Sequence, residues 1–365
     1  MATFNINDAQ IETASFEELG VVYDYSKPVD AFFRERYFSV EKFLNGQDKV
    51  PVGDIKTYIP VAPAVEPTAQ GRVIKDAVQL NVDYVKAPYF KPAAIVEPLD
   101  TVDAKLQKLL QTTNVIATNP IGTPVSMGDE WEIAAASSYW TLRQSLAARI
   151  NLMCRDALLY GKVVINDDDS KSYNVDYGRH SDLSFSPTTA WDEVDATPYE
   201  DIRNMVKRLT KHGKRRAQDA LMSSRVFEVL ADNADFNDRF TAARSDSATR
   251  VFDGTFGGET EATLRGTLDG IEFWTYDVEF DVDDKGTTEL MIPEDGFWLV
   301  SERANHLYFC MIKHRRNPTK QAMEFMPYHV FGDNPSVDEF IVDSSPLPVP
   351  INKNGACGGV GFITL

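Results

Sequence analysis

Residues 46–95 constrain the fold more than any other part of the chain, because this stretch of 50 residues carries six prolines. They are Pro51, Pro60, Pro63, Pro67, Pro88 and Pro92. Proline lacks a backbone donor and disrupts a helix, so no long helix forms here. Apolar and polar residues alternate over 78–84, which predicts a strand, and 54–59 is its predicted antiparallel partner. These two strands are expected to form a long projecting hairpin. Because an isolated hairpin is marginally stable in water, we expect it to rest on a neighbouring molecule.

The strongest helix signal covers residues 125–160. Apolar and small side chains recur there at spacings of three and four, which is the pattern of one buried helix face. Gly161 follows as the residue that ends the helix. At 1.5 Å per residue this helix would be roughly 54 Å long, well above the usual three turns, so we expect a beam on which other elements pack. The apolar face consists of Leu142, Leu146, Ile150, Met153, Ala157 and Leu158.

Helices are also predicted after residue 196. Thr197 and Glu200 match a capping box with proline at the first helical position, and Gly213 is expected to end that helix. The buried face of this helix is predicted to contain Ile202, Met205, Val206 and Leu209. A second, shorter helix is predicted through Val226, Phe227 and Leu230.

The remaining pattern predicts strands. Residues 270–280 and 287–293 form a predicted hairpin around the turn 283–286. Residues 297–300 and 307–312 are two further strand candidates. After residue 340 a single strand is predicted, around Phe340–Val342, because proline and glycine interrupt the remainder.

The chain is strongly acidic, with a formal net charge of −18 over 365 residues. A dedicated DNA-binding protein has a basic surface, because its affinity comes from neutralising phosphates. An acidic surface instead repels polyanions and keeps a concentrated protein soluble. The first 19 residues lack the basic and apolar regions of a signal peptide, and no run of 18 apolar residues predicts a membrane span. We therefore expect a protein made in the cytoplasm, with no membrane partner.

No motif predicts catalysis or cofactor binding. The hydrolase elbow, the zinc-protease motif and the P-loop are absent, and the C-terminal glycines do not match a dinucleotide fingerprint. Residues 281–286 resemble the start of a calcium loop, but position twelve is Ile292 instead of glutamate, so a hairpin turn is predicted. The acidic run 167–169 is expected to be a solvated turn, with a cation site at a subunit junction as the alternative. We predict no catalytic and no cofactor-binding residue.

No metal site is predicted either. The five histidines are scattered at positions that do not have helical metal-ligand spacing, so surface or hydrogen-bonded roles are expected for all of them. They are His180, His212, His306, His314 and His329. The cysteines, Cys154, Cys310 and Cys357, form no CxxC pair, so reduced thiols are expected, two of them packed.

Two basic clusters stand out from the acidic background. Solvated helix ends, charge complementarity with neighbouring subunits and contact with nucleic acid are all open interpretations of these clusters. The first contains Lys207, Arg208, Lys211, Lys214, Arg215 and Arg216, and the second contains Lys313, His314, Arg315, Arg316 and Lys320.

An ordered set of motifs resembles the lambda-type major capsid proteins of tailed bacteriophages, the major capsid protein E family. The motifs are FFRERYF at 32–38, IPVAPAVEPTAQGRVI at 59–74, Lys91-Pro92, ALLYGKVVI at 157–165, VDYGR at 175–179, IPEDGFWLV at 292–300, FGDNPSVDEF at 331–340 and SSPLPV at 344–349. The resemblance implies an α+β chain with the tailed-phage capsid fold of the Hong Kong 97 type.

That fold implies a division of the chain into five parts. They are an N-terminal arm (1–45), an extended loop (46–95), a peripheral domain with a spine helix (96–195), an axial domain (196–340) and a return to the peripheral domain (341–365).

The implied function is that of a major head protein located in the virion, not an enzyme. Its subunits would form hexamers and pentamers of an icosahedral shell, with a decoration protein, a scaffold and a portal as partners. Packaged double-stranded DNA would be enclosed but not specifically bound. The alternatives are another virion structural protein and an acidic cytosolic enzyme.

Some capsids of this fold join a loop lysine to a neighbour's asparagine. This chain has Lys56, Lys75, Lys86 and Lys91 in or near the loop, and Asn334, Asn352 and Asn354 in the returning segment. Lysines on the outward polar face of a strand stay protonated and are poor nucleophiles, so we expect a shell without covalent bonds between subunits.

Overall fold

The structure is a computed structural model that describes residues 30–57, 78–96, 127–165, 173–246, 262–281, 288–315, 317–333 and 336–364. The α-helices are α1 (Phe32–Tyr37), α2 (Met127–Arg155), α3 (Pro198–Gly213), α4 (Ser224–Asp232) and α5 (Ala234–Asp246). The strands up to residue 176 are β1 (Val40–Leu44), β2 (Lys49–Thr57), β3 (Val78–Lys86), β4 (Ala93–Val96), β5 (Lys162–Ile165) and β6 (Tyr173–Asp176). The later strands are β7 (Asp219–Met222), β8 (Thr263–Leu268), β9 (Ile271–Thr275), β10 (Glu279–Asp281), β11 (Thr288–Leu290), β12 (Phe297–Val300), β13 (His306–Cys310), β14 (Met326–Asp333), β15 (Ser336–Asp343), β16 (Pro346–Val349) and β17 (Ala356–Gly359).

The predicted beam helix is confirmed. Helix α2 continues through a π-helical turn at Asp156–Tyr160 and ends at Gly161, whose φ of +67° is the left-handed conformation that glycine adopts without strain. All the side chains of the predicted apolar face are buried. The N-terminal part of this face packs with Phe340 and Val342, and the C-terminal part joins the main core. The helix therefore links two parts of the hydrophobic interior.

A five-stranded sheet with the order β17-β12-β7-β9-β8 holds the second core. Strands β7 and β9 are parallel and the other neighbours are antiparallel. The apolar faces of α3 and α4 cover this sheet, with Ile202, Met205 and Leu209 buried as predicted and Val206 partly buried. Strand β17 comes from the segment 341–365, so the last strand of the chain completes the sheet of the segment 196–340. The division into domains itself stays a prediction.

Two three-stranded sheets join distant parts of the chain. In the sheet β1-β13-β16, β1 runs parallel to β13. In the sheet β14-β15-β4, residues 93–96 pair with β15. The predicted strands at 297–300 and 307–312 are present as β12 and β13.

Two local predictions differ from the structure, namely the capping bond of Thr197 and the length of the hairpin around 283–286. Thr197 makes no side-chain capping bond, because its backbone (φ −122°, ψ 67°) is not extended as an N-cap requires. The predicted end of this helix is confirmed, because α3 ends at Gly213 and Lys214 follows it in the left-handed conformation, with φ at +54°. The predicted hairpin is shorter than expected: β10 pairs with β11, whereas β9 pairs with β7 and β8 inside the large sheet.

The C-terminal segment has two strands that the sequence does not predict. Strand β16 tolerates Pro346 and Pro348 because, among the strands that the structure describes, it pairs with β13 alone and forms the edge of its sheet. In β17, a Cβ atom at Gly358 would lie 2.2 Å from the Phe297 carbonyl oxygen, so glycine permits the close approach of β12.

The predicted projection is confirmed as a two-stranded ribbon. Strands β2 and β3 pair antiparallel over nine residues each, from Lys49 opposite Lys86 to Thr57 opposite Val78. No third described strand joins them. Its tip, 58–77, lies outside the described residues, as do residues 1–29 and the acidic run 167–169. Among the helices that the structure describes, none has the length and apolar character of a membrane span.

Candidate functional site

The base of the ribbon β2–β3 is held by the loop that follows β13. The Lys313 ammonium lies 2.8 Å from the Asp48 carboxylate. The Ala322 amide donates to the Asn45 side-chain oxygen at 2.7 Å, and the Gly46 amide donates to the Lys320 carbonyl at 2.9 Å. Part of the second basic cluster therefore has a defined role, which is to hold the ribbon where it leaves the body.

The residues that follow the ribbon are also held to the body by hydrogen bonds. The Tyr173 hydroxyl donates to the Lys86 carbonyl at 2.6 Å, and the Ser345 hydroxyl donates to the Pro88 carbonyl at 2.9 Å. The Tyr89 hydroxyl donates to a carboxylate oxygen of Asp343 at 2.6 Å, and burial with this contact raises the pKa of Tyr89 well above its ordinary value. The ribbon thus starts from a fixed base, while Tyr84 near that base is 67% exposed.

A buried ion cluster joins the start of the chain to the large sheet. We use "the Asp219 cluster" for Arg36, Tyr37, Asp219, Glu272 and Arg303. Asp219 is fully buried at the start of β7 and lies opposite Glu272 of β9 in the parallel register. Arg36 and Arg303 both contact both carboxylates, and the Tyr37 hydroxyl donates to Asp219 at 3.0 Å.

The geometry of the Asp219 cluster keeps its charges paired. Burial alone would lower the pKa of Arg36, but Tyr37 and Asp219 raise it above its ordinary value. Burial would raise the pKa of Glu272, and Arg303 and Arg36 lower it instead. Two carboxylates and two guanidinium groups balance in charge, which offsets the cost of burying ions. The cluster places α1 on the body of its own chain, so the aromatic side chains of residues 32–38 are part of the core.

The first basic cluster is a solvent-facing surface. All six of its side chains are exposed on α3 and the residues after it. Arg215 pairs at 3.2 Å with Glu302, which follows the end of β12. A groove of about 400 Å³ beside α3 is lined by Arg203, Lys207 and Arg216 together with apolar residues such as Ile271. This basic surface suits an acidic partner surface. All three interpretations of the cluster stay open: solvated helix ends, charge complementarity with neighbouring subunits, and contact with nucleic acid.

The structure brings together two histidines that sequence spacing does not connect. The rings of His180 and His212 stack with their centroids 3.9 Å apart. Asp182 lies beside both of them, and one potential ligand atom from each of the three residues lies within 4.8 Å of the others. No periodic signal could reveal this group, since 180 and 212 meet only because the β6–α3 connection folds back onto the end of α3. We use "the His180 cluster" for these three residues.

The other histidines lie apart from this group. His306 is beside Lys42 at 3.4 Å, and burial together with that lysine lowers its pKa. His314 lies against the ring of Tyr328, with centroids 4.1 Å apart, and His329 is buried near Phe340.

All three cysteines are free and buried, where the sequence predicted two packed thiols. They lie on α2, on β13 and on β17, in the interior.

Residues 15–359 match the family model described as phage major capsid protein E. Among solved structures, one described as the capsid protein of a prophage of E. coli CFT073 has a TM-score of 0.65 at 14% identity, over 96% of this chain and 99% of that chain. This similarity shows a shared fold. No curated protein sequence matches the chain.

Two further solved structures are similar at lower scores. A phage-related protein from Bordetella bronchiseptica RB50 has a TM-score of 0.45 at 9% identity, over 94% of this chain and 96% of that chain. The mature capsid of bacteriophage PhiM1 has a TM-score of 0.46 at 9% identity, over 98% of this chain and 91% of that chain.

Proposed function

Because this chain belongs to the phage major capsid protein E family, we propose that its subunits build an icosahedral shell of hexamers and pentamers in which each ribbon β2–β3 lies across an adjacent subunit. The chain is a major capsid protein of a tailed phage, it has the α+β capsid fold of the Hong Kong 97 type, and its place is the virion. The five-part division stated above and the absence of enzymatic activity belong to the proposal.

The observation that carries the proposal is the ribbon itself. Nine residue pairs at about 3.3 Å each give a length of roughly 30 Å. Such a ribbon has unpaired backbone groups along both outer edges and is marginally stable on its own. Its base is held by hydrogen bonds and an ion pair, which supports our proposal that the ribbon extends from the body towards a neighbour. A neighbouring subunit is the surface that a shell supplies.

The acidic charge supports the second part of the proposal. A net charge of −18 repels DNA within a Debye length, about 8 Å at physiological salt. A container into which DNA is pumped works best if the DNA does not stick to its wall. We therefore propose that the DNA is enclosed without specific contacts, and that synthesis takes place in the host cytoplasm. A decoration protein, a scaffold and a portal complete the proposed set of partners.

Deletion of Pro60 to Gly71 tests the role of the ribbon. The expected product folds, with the circular dichroism spectrum of the parent chain, and does not form shells in electron micrographs. The control is Val194→Ser in the full-length chain, because the Val194 side chain is fully exposed and lies far from the ribbon in sequence. This variant should form shells. Shells of normal size from the deletion variant would contradict the proposal, as would an unfolded deletion variant.

A further inference from the structure

The His180 cluster has the donor set of a transition-metal site. Histidine nitrogen and carboxylate oxygen together are typical ligands of Zn²⁺, whereas Mg²⁺ and Ca²⁺ prefer oxygen alone. Asp182 Oδ2 lies 3.1 Å from His212 Nε2 and 3.8 Å from His180 Nδ1. We propose that His180, Asp182 and His212 form a binding site for a divalent transition-metal ion, Zn²⁺ being the ion that best fits these donors.

The distances are close to those that a bound ion needs. Ligand atoms about 2.0–2.2 Å from a tetrahedral Zn²⁺ are separated by roughly 3.3–3.6 Å. The three ligand atoms here lie within 4.8 Å of one another. The His180 and Asp182 side chains are about half exposed, at 46% and 51%, so rotations of these side chains close the remaining gap without moving the backbone.

Two features of these three side chains point to a bound cation. His212 Nε2 is buried, and its contact with Asp182 does not have the alignment of a hydrogen bond, so this nitrogen has no hydrogen-bond partner in the described part of the chain. The Asp182 carboxylate meets these two imidazoles and no lysine or arginine among the ion pairs of the described residues. A cation between the three groups would satisfy both.

The backbone around the cluster is held by groups that are not ligands. Asn354, in the loop before β17, accepts from the His180 amide at 2.9 Å and donates to the His212 carbonyl at 3.4 Å. Arg208 donates to the Asp182 carbonyl at 3.2 Å. Residues that fix the ligands in place reduce the entropy lost on metal binding. The Asp182 amide also donates to His180 Nδ1 at 3.2 Å, a contact that a metal on that nitrogen would replace.

A bound ion would cross-link two elements. His180 and Asp182 lie at the 3₁₀ turn Ser181–Leu183, and His212 lies in the last turn of α3. The cluster would thus clamp the connection between β6 and α3 onto the end of that helix. With three protein ligands, the fourth position of a tetrahedral site stays open to water or to a donor from another molecule. This inference does not depend on the shell proposed above.

Isothermal titration of the purified full-length chain with Zn²⁺, after dialysis against a chelator, tests the site. One ion per chain is expected, with a higher thermal unfolding midpoint in the presence of Zn²⁺. His180→Asn keeps a capping acceptor, and His212→Gln keeps a helix-compatible amide. Each should weaken Zn²⁺ binding at least tenfold, and His314→Gln, a histidine outside the cluster, should leave it unchanged.

Zn²⁺ binding is compared only between variants that are folded to the same extent as the parent chain. Circular dichroism and the metal-free unfolding midpoint identify the variants that keep the parent structure, and Asp182→Asn supplies a third ligand variant if either histidine variant is unstable. The absence of Zn²⁺ binding to the parent chain would overturn the proposal. So would stoichiometric binding that survives unchanged in the folded ligand variants.

Discussion

Individual side chains of the Asp219 cluster attach the start of the described chain to the large sheet. Arg36 also lies over the Trp274 ring at 4.1 Å, so its guanidinium contacts anions at its edge and an aromatic face. Phe32 and Phe33 pack against Tyr276 beside it. The apolar and ionic contacts therefore reinforce one another at the same place.

Asp219→Asn should destabilise the protein by about 3 kcal/mol or more. The change removes the buried carboxylate that Arg36 and Arg303 share, and breaking a buried ion pair on one side costs about 3–5 kcal/mol. Asp235→Asn is the matched control, because its ion pair with Arg239 is exposed to solvent and contributes little to stability. Urea unfolding followed by circular dichroism measures both, and equal midpoints for the two variants would refute the role of the cluster.

The cysteine thiols should be unreactive in the folded protein. Burial raises the pKa of Cys357 to about 11 and that of Cys310 to about 12, and it raises that of Cys154 further. At pH 8 roughly one Cys357 thiol in a thousand would be the reactive thiolate. A chromogenic thiol reagent at pH 8 should titrate no thiol rapidly in the native chain and all three in denaturant. Rapid reaction of one thiol without denaturant would show that it is accessible.

The residue patterns predicted features that lie within one helix or strand. They missed features that depend on contacts between residues far apart in the chain. The apolar face of α2 is a repeat within one helix, so Leu146 and Ile150 could be assigned from spacing alone. The meeting of His180 with His212, and of Arg36 with Asp219, depends on how separate elements pack. Neither pair leaves a periodic signal, and the sequence therefore did not indicate either cluster.

Elements were predicted well where the side chains match the backbone. Strand β3 alternates clearly, and its predicted pairing with the segment that starts at Asp54 is correct, although β2 begins earlier, at Lys49. Strands β16 and β17 were missed because proline and glycine ordinarily mark loops. Their positions, at a sheet edge and at a close approach between strands, can be seen only when the partners β13 and β12 are known.

Leu146→Asp should prevent soluble folding. Leu146 is 2% exposed in the middle of α2, and an unpaired buried carboxylate costs several kcal/mol. Ser145→Asp is the control, because Ser145 is the neighbouring residue and faces solvent. The soluble fraction after expression and the unfolding midpoint provide the comparison. If Leu146→Asp is as soluble and stable as Ser145→Asp, then this face of the helix is not part of the core.

At the scale of the whole molecule, the chain combines a well-packed interior with a projecting ribbon. The sheets β1-β13-β16 and β14-β15-β4 bring residues from both ends of the described chain into one body. The ribbon leaves this body from a base held by Asp48, Lys313 and Tyr173. Because its base is held by these contacts, the ribbon has a defined position relative to the body. Identical subunits of a shell need such a defined position to make the same contact with each neighbour.

The mature shell should be held together without covalent bonds between subunits. A lysine that attacks an asparagine must be unprotonated, hence desolvated. Lys86 is exposed to solvent and is therefore not desolvated, and the contact with Tyr328 raises the pKa of the exposed Lys91, so Lys91 stays protonated. Asn352 and Asn354 donate to backbone carbonyls of their own chain, at Gly213 and His212.

The side chains of the remaining candidates, Lys56, Lys75 and Asn334, lie outside the described residues. A boiled denaturing gel of mature particles checks the prediction, with dissociated subunits in the next lane as the control. A single band near the chain mass of 40.9 kDa is expected in both lanes. A ladder of larger species that survives a reducing agent, found in the particle lane only, would mean that these lysines meet a desolvating pocket on the neighbouring subunit.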